Sequence, residues 1–101
     1  MSSLQKRTWA EVSLDNISHN YRAIRAALPE GCRFLGVVKA DAYGHGAVPV
    51  ANRLQSMGAP YFAVATVPEA VELRENGIEK PIIILGYIDA ADMDTVAEYG
   101  I

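Results

Sequence analysis

The chain has 101 residues, 50% of them apolar and 21% charged, with a formal net charge of -3. That is the composition of a domain with one small core, and it excludes a disordered or fibrous chain. The 9 basic residues are scattered among 12 acidic ones, so no basic surface exists to neutralise phosphates, and nucleic acid is excluded as a partner.

Residues 1–11 lack the apolar core of a secretory signal, and the longest aliphatic run, residues 82–85, is far too short to cross a bilayer. The expected address is cytoplasmic, with no membrane contact. The single cysteine, Cys32, cannot form an internal disulfide or a metal site alone. It stands at the start of an apolar stretch and is expected to pack as a small buried residue.

Residues 8–14 read as a short strand, because Ala10, Val12 and Leu14 alternate with Trp9, Glu11 and Ser13. Asp15 is the expected N-cap of a helix whose buried stripe is Ile17, Tyr21, Ile24 and Leu28, ended by Pro29 and Gly31. From Cys32 onward, continuous apolar strands alternate with helices. The strands are expected over residues 33–40, 61–65 and 82–86, each covered on both faces.

The spacing predicts a helix over residues 47–57, with Val50, Leu54 and Met57 on one face and Gly58 as its stop. A second is predicted over residues 67–76, followed by Gly77 and opened by the capping box Thr66-Val67-Pro68-Glu69. Asp89 opens a last helix over residues 90–99, Gly100 closes it, and Ile101 would begin another strand.

Strands alternating with helices imply an α/β fold with a parallel sheet, either a βα barrel or a doubly wound sheet. Periodicity does not choose between them. A closed eight-stranded barrel needs about 250 residues, so a barrel here would be less than half complete. No repeat, low-complexity segment or linker marks a second complete domain, and the one expected boundary lies near Asp15.

The chemistry concentrates in the block Val37-Val38-Lys39-Ala40-Asp41-Ala42-Tyr43-Gly44-His45-Gly46. An apolar strand ends there in a lysine and enters a loop with two glycines, a place where parallel α/β folds gather functional groups. A deprotonated lysine amine forms an imine with an aldehyde, so Lys39 is a candidate for covalent catalysis, although most lysines ending a strand are plain surface residues. Tyr43, beside glycines that let backbone approach a ligand, has a phenol able to bond an anion such as a phosphate. His45, without a paired carboxylate, reads as a loop residue, and Asp41 as a helix or turn cap. The block matches neither glycine-rich nucleotide pattern, so no nucleotide site is expected.

This block resembles the beginning of alanine racemases along nearly the whole chain. It is preceded by Thr8-Trp9-Ala10-Glu11-Val12-Ser13-Leu14-Asp15 and followed by Tyr61-Phe62-Ala63-Val64-Ala65 and Pro81-Ile82-Ile83-Ile84-Leu85-Gly86. The resemblance implies an incomplete portion of a TIM-type (β/α)8 barrel over residues 15–101. It also implies an opening strand, residues 1–14, that belongs with a β-rich carboxy-terminal domain. It implies pyridoxal 5'-phosphate as cofactor, held by Lys39 as a Schiff base, with Tyr43 bonding the phosphate and Leu85 close to the cofactor ring.

Family enzymes interconvert L- and D-alanine for peptidoglycan, and they are homodimers. Lys39 would serve as one of two opposed bases, acting on the D-substrate face. The opposite base is a tyrosine from the other subunit's carboxy-terminal domain. That tyrosine, the arginine facing the pyridine nitrogen and the arginine holding the substrate carboxylate match nothing here, so the 101 residues alone are expected not to racemise efficiently. Two relatives of the same fold remain alternatives: a racemase of serine or another amino acid, and a non-catalytic pyridoxal-phosphate carrier, against which the opening Thr8-Trp9 strand speaks. A plain βα fragment with no ligand is the third.

Overall fold

A computed structural model describes residues 9–101. Helix α1 (Leu14–Ala27) comes first, then strand β1 (Leu35–Val37), the short helical turn α2 (Lys39–Tyr43) and helix α3 (Ala47–Ser56). Strand β2 (Tyr61–Val64), helix α4 (Val67–Glu75) and strand β3 (Ile82–Ile84) follow, and a 3₁₀ turn (Ala90–Asp92) leads into α5 (Met93–Tyr99). The strands form one parallel sheet in the order β1-β2-β3, with Gly36, Phe62 and Ile82 in one row and Val37, Ala63 and Ile83 in the next.

Those two rows point to opposite faces. On one face Val38, Phe62, Val64 and Ile82 join Tyr21, Val50, Leu54, Ala70, Leu73 and Ile78 in a single buried cluster. On the other, Leu35, Ile83 and Leu85 are exposed. The strands are therefore covered on one face, not two as their apolar runs suggested. Helices on one side of consecutively ordered parallel strands fit a barrel wall and equally one half of a doubly wound sheet.

The helix ends explain how each unit returns to the sheet. At the end of α4 the Ile78 amide reaches back to the Leu73 carbonyl (3.0 Å) and the Gly77 amide to the Arg74 carbonyl (3.3 Å). Gly77, at φ +93°, makes that left-handed closure, and Ile78, 1% exposed, anchors it in the core. The same closure ends α3 through Gly58 and the fully buried Ala59. Ile101 closes α5 in this way, bonding the Val96 carbonyl at 3.0 Å.

Other expectations need correction. Residues 9–13 form no strand within the described residues, where Trp9, Ala10 and Val12 are exposed with no ladder beside them, and Leu14 is already helical. Thr8 lies outside the described residues. Ser13, not Asp15, caps α1, because its hydroxyl accepts from the Asn16 amide at 3.1 Å. Asp15 instead meets Arg53 of α3 at 3.0 Å, and Arg53 also bonds the hydroxyl of the buried Ser18.

The stripe of α1 is narrower than its spacing suggested. Tyr21 is buried and stacks edge-on to Phe34 with ring centroids 4.8 Å apart, whereas Ile24 is half exposed. Cys32 is exposed, since it closes a turn by bonding the Pro29 carbonyl three residues ahead of β1. The last helix begins as a 3₁₀ turn after Asp89, whose side chain makes no cap bond.

Candidate functional site at the strand ends

β1 is shorter than residues 33–40 because the backbone turns at Val38, where ψ is 24°. Val38 still bonds the Ala63 carbonyl at 2.9 Å, so Lys39 is the first residue past the ladder. The chain then enters a left-handed helix: Ala40, Asp41, Ala42 and Tyr43 have φ between 52° and 56°. Each non-glycine residue in that conformation costs roughly 1–2 kcal/mol, so the stretch persists only because its surroundings over-determine it.

Several bonds supply that restraint. The Ala42 amide bonds the Val38 carbonyl at 2.9 Å, the Gly44 amide that of Ala40 at 3.2 Å, and the Gly46 amide that of Asp41 at 2.9 Å. Asp41 also uses its side chain, accepting from the Ala47 amide at 2.8 Å and so satisfying a free donor at the start of α3. The His45 ring nitrogen Nδ1 lies 2.9 Å from the Ala42 carbonyl, a contact within the loop. Ala42 is buried in the core and pins the turn from below. Asp41 as cap and His45 as loop residue are the roles their sequence setting suggested.

The turn also has a tie to the next βα unit. Glu69, the third residue of α4, completes the expected capping box: the Glu69 amide donates to Thr66 Oγ1 at 3.3 Å, and Glu69 Oε1 accepts from the Thr66 amide at 3.0 Å. Oε1 also accepts from the Ala65 amide at 2.9 Å, and Oε2 accepts from the Ala40 amide at 2.6 Å. Burial pushes the Glu69 carboxyl up, but the bonds from Ala65, Ala40 and Thr66 outweigh it and hold the group below its usual value of 4.5.

Sequence reasoning did not single out Glu69 for the site. The capping box was its one visible signal. No local signal marks a left-handed run through two alanines.

The three residues singled out from the sequence lie just past the carboxyl ends of the strands. Lys39 is half-buried after β1, Tyr43 ends the left-handed turn with its side chain 61% exposed, and Leu85 follows β3, where its amide bonds Val64 at 2.7 Å. Lys39 and Leu85 lie just past β1 and β3, the two strands that flank β2. Tyr43 is held near Lys39 by chain connectivity. Among the described residues there is no group of three side chains able to hold a metal ion.

An amine, a phenol and an aliphatic side chain thus all come from segments that follow the carboxyl ends of parallel strands, where βα-barrel proteins carry their chemistry. The alanine racemase N-terminal domain family matches residues 12–101, and the chain belongs to that family. It is 52% identical over 93 residues to alanine racemase 1 of Clostridium acetobutylicum, covering 92% of this chain and 24% of that protein. To alanine racemase 2 of Oceanobacillus iheyensis it is 46% identical over 91 residues, covering 90% and 23%.

Among solved structures, alanine racemase of Clostridium difficile superposes with a TM-score of 0.89 at 46% identity, over 93% of this chain and 25% of that one. The Bacillus anthracis alanine racemase, solved with bound L-Ala-P, gives 0.87 at 41% identity, over 93% and 24%. The chain spans about a quarter of the length of the relatives it matches.

Proposed function

We propose that this chain is the amino-terminal part of the cofactor-binding barrel of an alanine racemase that uses pyridoxal 5'-phosphate and supplies D-alanine for peptidoglycan. The observation that carries this reading is the position of Lys39, which leads the left-handed turn after β1, at the same carboxyl end of the sheet as Tyr43 and Leu85. The donor set suits the cofactor: a primary amine for its aldehyde, an exposed phenol for its phosphate and an aliphatic side chain for its ring. When bound, pyridoxal phosphate supplies an aldehyde that condenses with amines and a ring that takes up the electron pair left when Cα loses its proton.

The chain's own residues do the rest. Lys39 Nζ would hold the cofactor through its aldehyde and, as a free amine, would serve as the base for the Cα proton on the D-face. The Tyr43 phenol would donate to the phosphate, and Leu85 would offer an aliphatic surface to the ring. The opposed base and the substrate-carboxylate contact belong to the remainder of a family-length, cytoplasmic homodimer, in which residues 1–14 join the β-rich domain.

The test mixes the protein with pyridoxal phosphate, reduces with borohydride and maps the modified peptide by mass spectrometry, with Lys39→Ala alongside. Label concentrated on Lys39, and lost in the variant, is the expected result. Label spread evenly over Lys6, Lys39 and Lys80 overturns the assignment.

A further inference from the structure

Capping α4 needs only one oxygen of Glu69. Oε1 meets that need through the Ala65 and Thr66 amides and the Thr66 hydroxyl. Oε2 reaches instead across 29 residues of sequence to the Ala40 amide, at 2.6 Å. Ala40 opens the left-handed run and is bonded directly to Lys39.

We propose that Glu69 is a positioning residue for Lys39: its carboxylate ties the left-handed turn after β1 to the end of β2 and so fixes the point from which the lysine side chain departs. This deepens the reading of Lys39 as the cofactor lysine and rests on it.

A left-handed run of non-glycine residues relaxes toward ordinary backbone unless outside bonds hold it, and a charge-assisted bond to a backbone amide is among the strongest available. A carboxylate can present an acceptor to both units at once, whereas an amide side chain can present only one carbonyl oxygen and would turn its NH2 toward a second donor. The other acids lining the cleft, Asp41 and Glu72, do not duplicate this tie. The Asp41 carboxylate bonds the Ala47 amide, and Glu72 lies one turn further along α4.

The roles separate by substitution in a protein of the family's full length that carries these residues. Thr66→Ala breaks the capping box but leaves the Ala40 bond, while Glu69→Gln keeps one capping acceptor and loses that bond. The measurements are the thermal melt, the affinity for pyridoxal phosphate followed by the visible band of the lysine-bound cofactor, and amide hydrogen exchange at Ala40.

Glu69→Gln is expected to weaken cofactor binding by about tenfold or more and to speed Ala40 exchange by a similar factor. Thr66→Ala is expected to lower the melt while leaving both other readouts near wild type. Equal cofactor affinity in Glu69→Gln and wild type, or equal loss in both variants, overturns the proposal. If the wild type places no cofactor on Lys39, the functional reading falls, and exchange then decides the tie: faster exchange at Ala40 in Glu69→Gln alone sustains it, and unchanged exchange overturns it.

Discussion

The Arg74 guanidinium donates to the Tyr99 carbonyl at 2.8 Å, joining α4 to the end of α5. Its other nitrogens reach the carbonyls of Ile78 and Lys80 at 2.8 Å and Gly100 at 2.9 Å. One planar fork thus satisfies acceptors left free after two helices, which a point-like ammonium cannot span. Arg74→Lys is expected to cost about 2–3 kcal/mol, read as a lower urea midpoint at fixed chain concentration. An unchanged midpoint would show that water replaces these bonds at no cost.

Phe62 is fully buried in the central strand, and a Cβ on Gly36 would meet its ring at 3.2 Å and that of Phe34 at the same distance. Phe62→Ala is expected to cost about 3–5 kcal/mol. Gly36→Ala should cost about 1–3 kcal/mol through overpacking. Because one ring causes much of the clash, Gly36→Ala combined with Phe62→Leu should lose less than the sum of the two single changes. Strict additivity in a double-mutant cycle would contradict this packing.

Gly77 isolates a backbone effect, since at φ +93° the nearest atom to an added Cβ is Asn52 Oδ1, 3.9 Å away. Gly77→Ala meets no clash and should still destabilise by about 1–2 kcal/mol, with Gly77→Asn costing less. Equal losses for the two variants would mean that sterics elsewhere dominate.

Glu69 makes the fold acid-sensitive. Its carboxyl is held below 4.5 in the folded chain, so the stabilisation it gives is fully present above that value and is lost as pH falls through the lower folded value. In Glu69→Gln the acid limb of the stability curve should be shallower, with wild type and variant converging below that range. The check is urea unfolding at a series of pH values between neutrality and the acid limb, with Asp41 and Glu72 retained because they line the same cleft.

The open sheet face makes the isolated 101-residue chain self-associating. Leu35, Ile83 and Leu85 are 39%, 47% and 42% exposed on one side of the sheet, and β1 and β3 are its edges. Sedimentation should show oligomers that dissociate on dilution, and Ile83→Lys should shift them toward monomer. A sharp monomer boundary at high concentration would refute this expectation.

Local chemistry made much of the chain readable. The three strands, the Thr66 to Glu69 capping box and the glycines after α3 and α4 are short-range features, set by side-chain period, cap donors and backbone freedom, and each stands within a few residues of its expected place. Lys39 at a strand end was legible for the same reason. The misreadings fell where a local pattern needs a distant partner. Among the described residues, 9–13 alternate but meet no strand to pair with, and Ile24 has helical spacing yet stays half exposed. Ser13 outcompeted Asp15 as cap, and Asp15 was drawn to Arg53 instead.

The sequence by itself therefore determined the alternation of strands and helices, the helix stops and the identity of the reactive block, because these depend on neighbours along the chain. Only the tertiary structure decided that the helices of the described residues gather on one sheet face and leave Leu35, Ile83 and Leu85 exposed on the other, because burial depends on how the strands and helices pack together. Only it joined Glu69 to Ala40 across two βα units, because a bond between residues 29 positions apart exists only once the strands have been placed side by side.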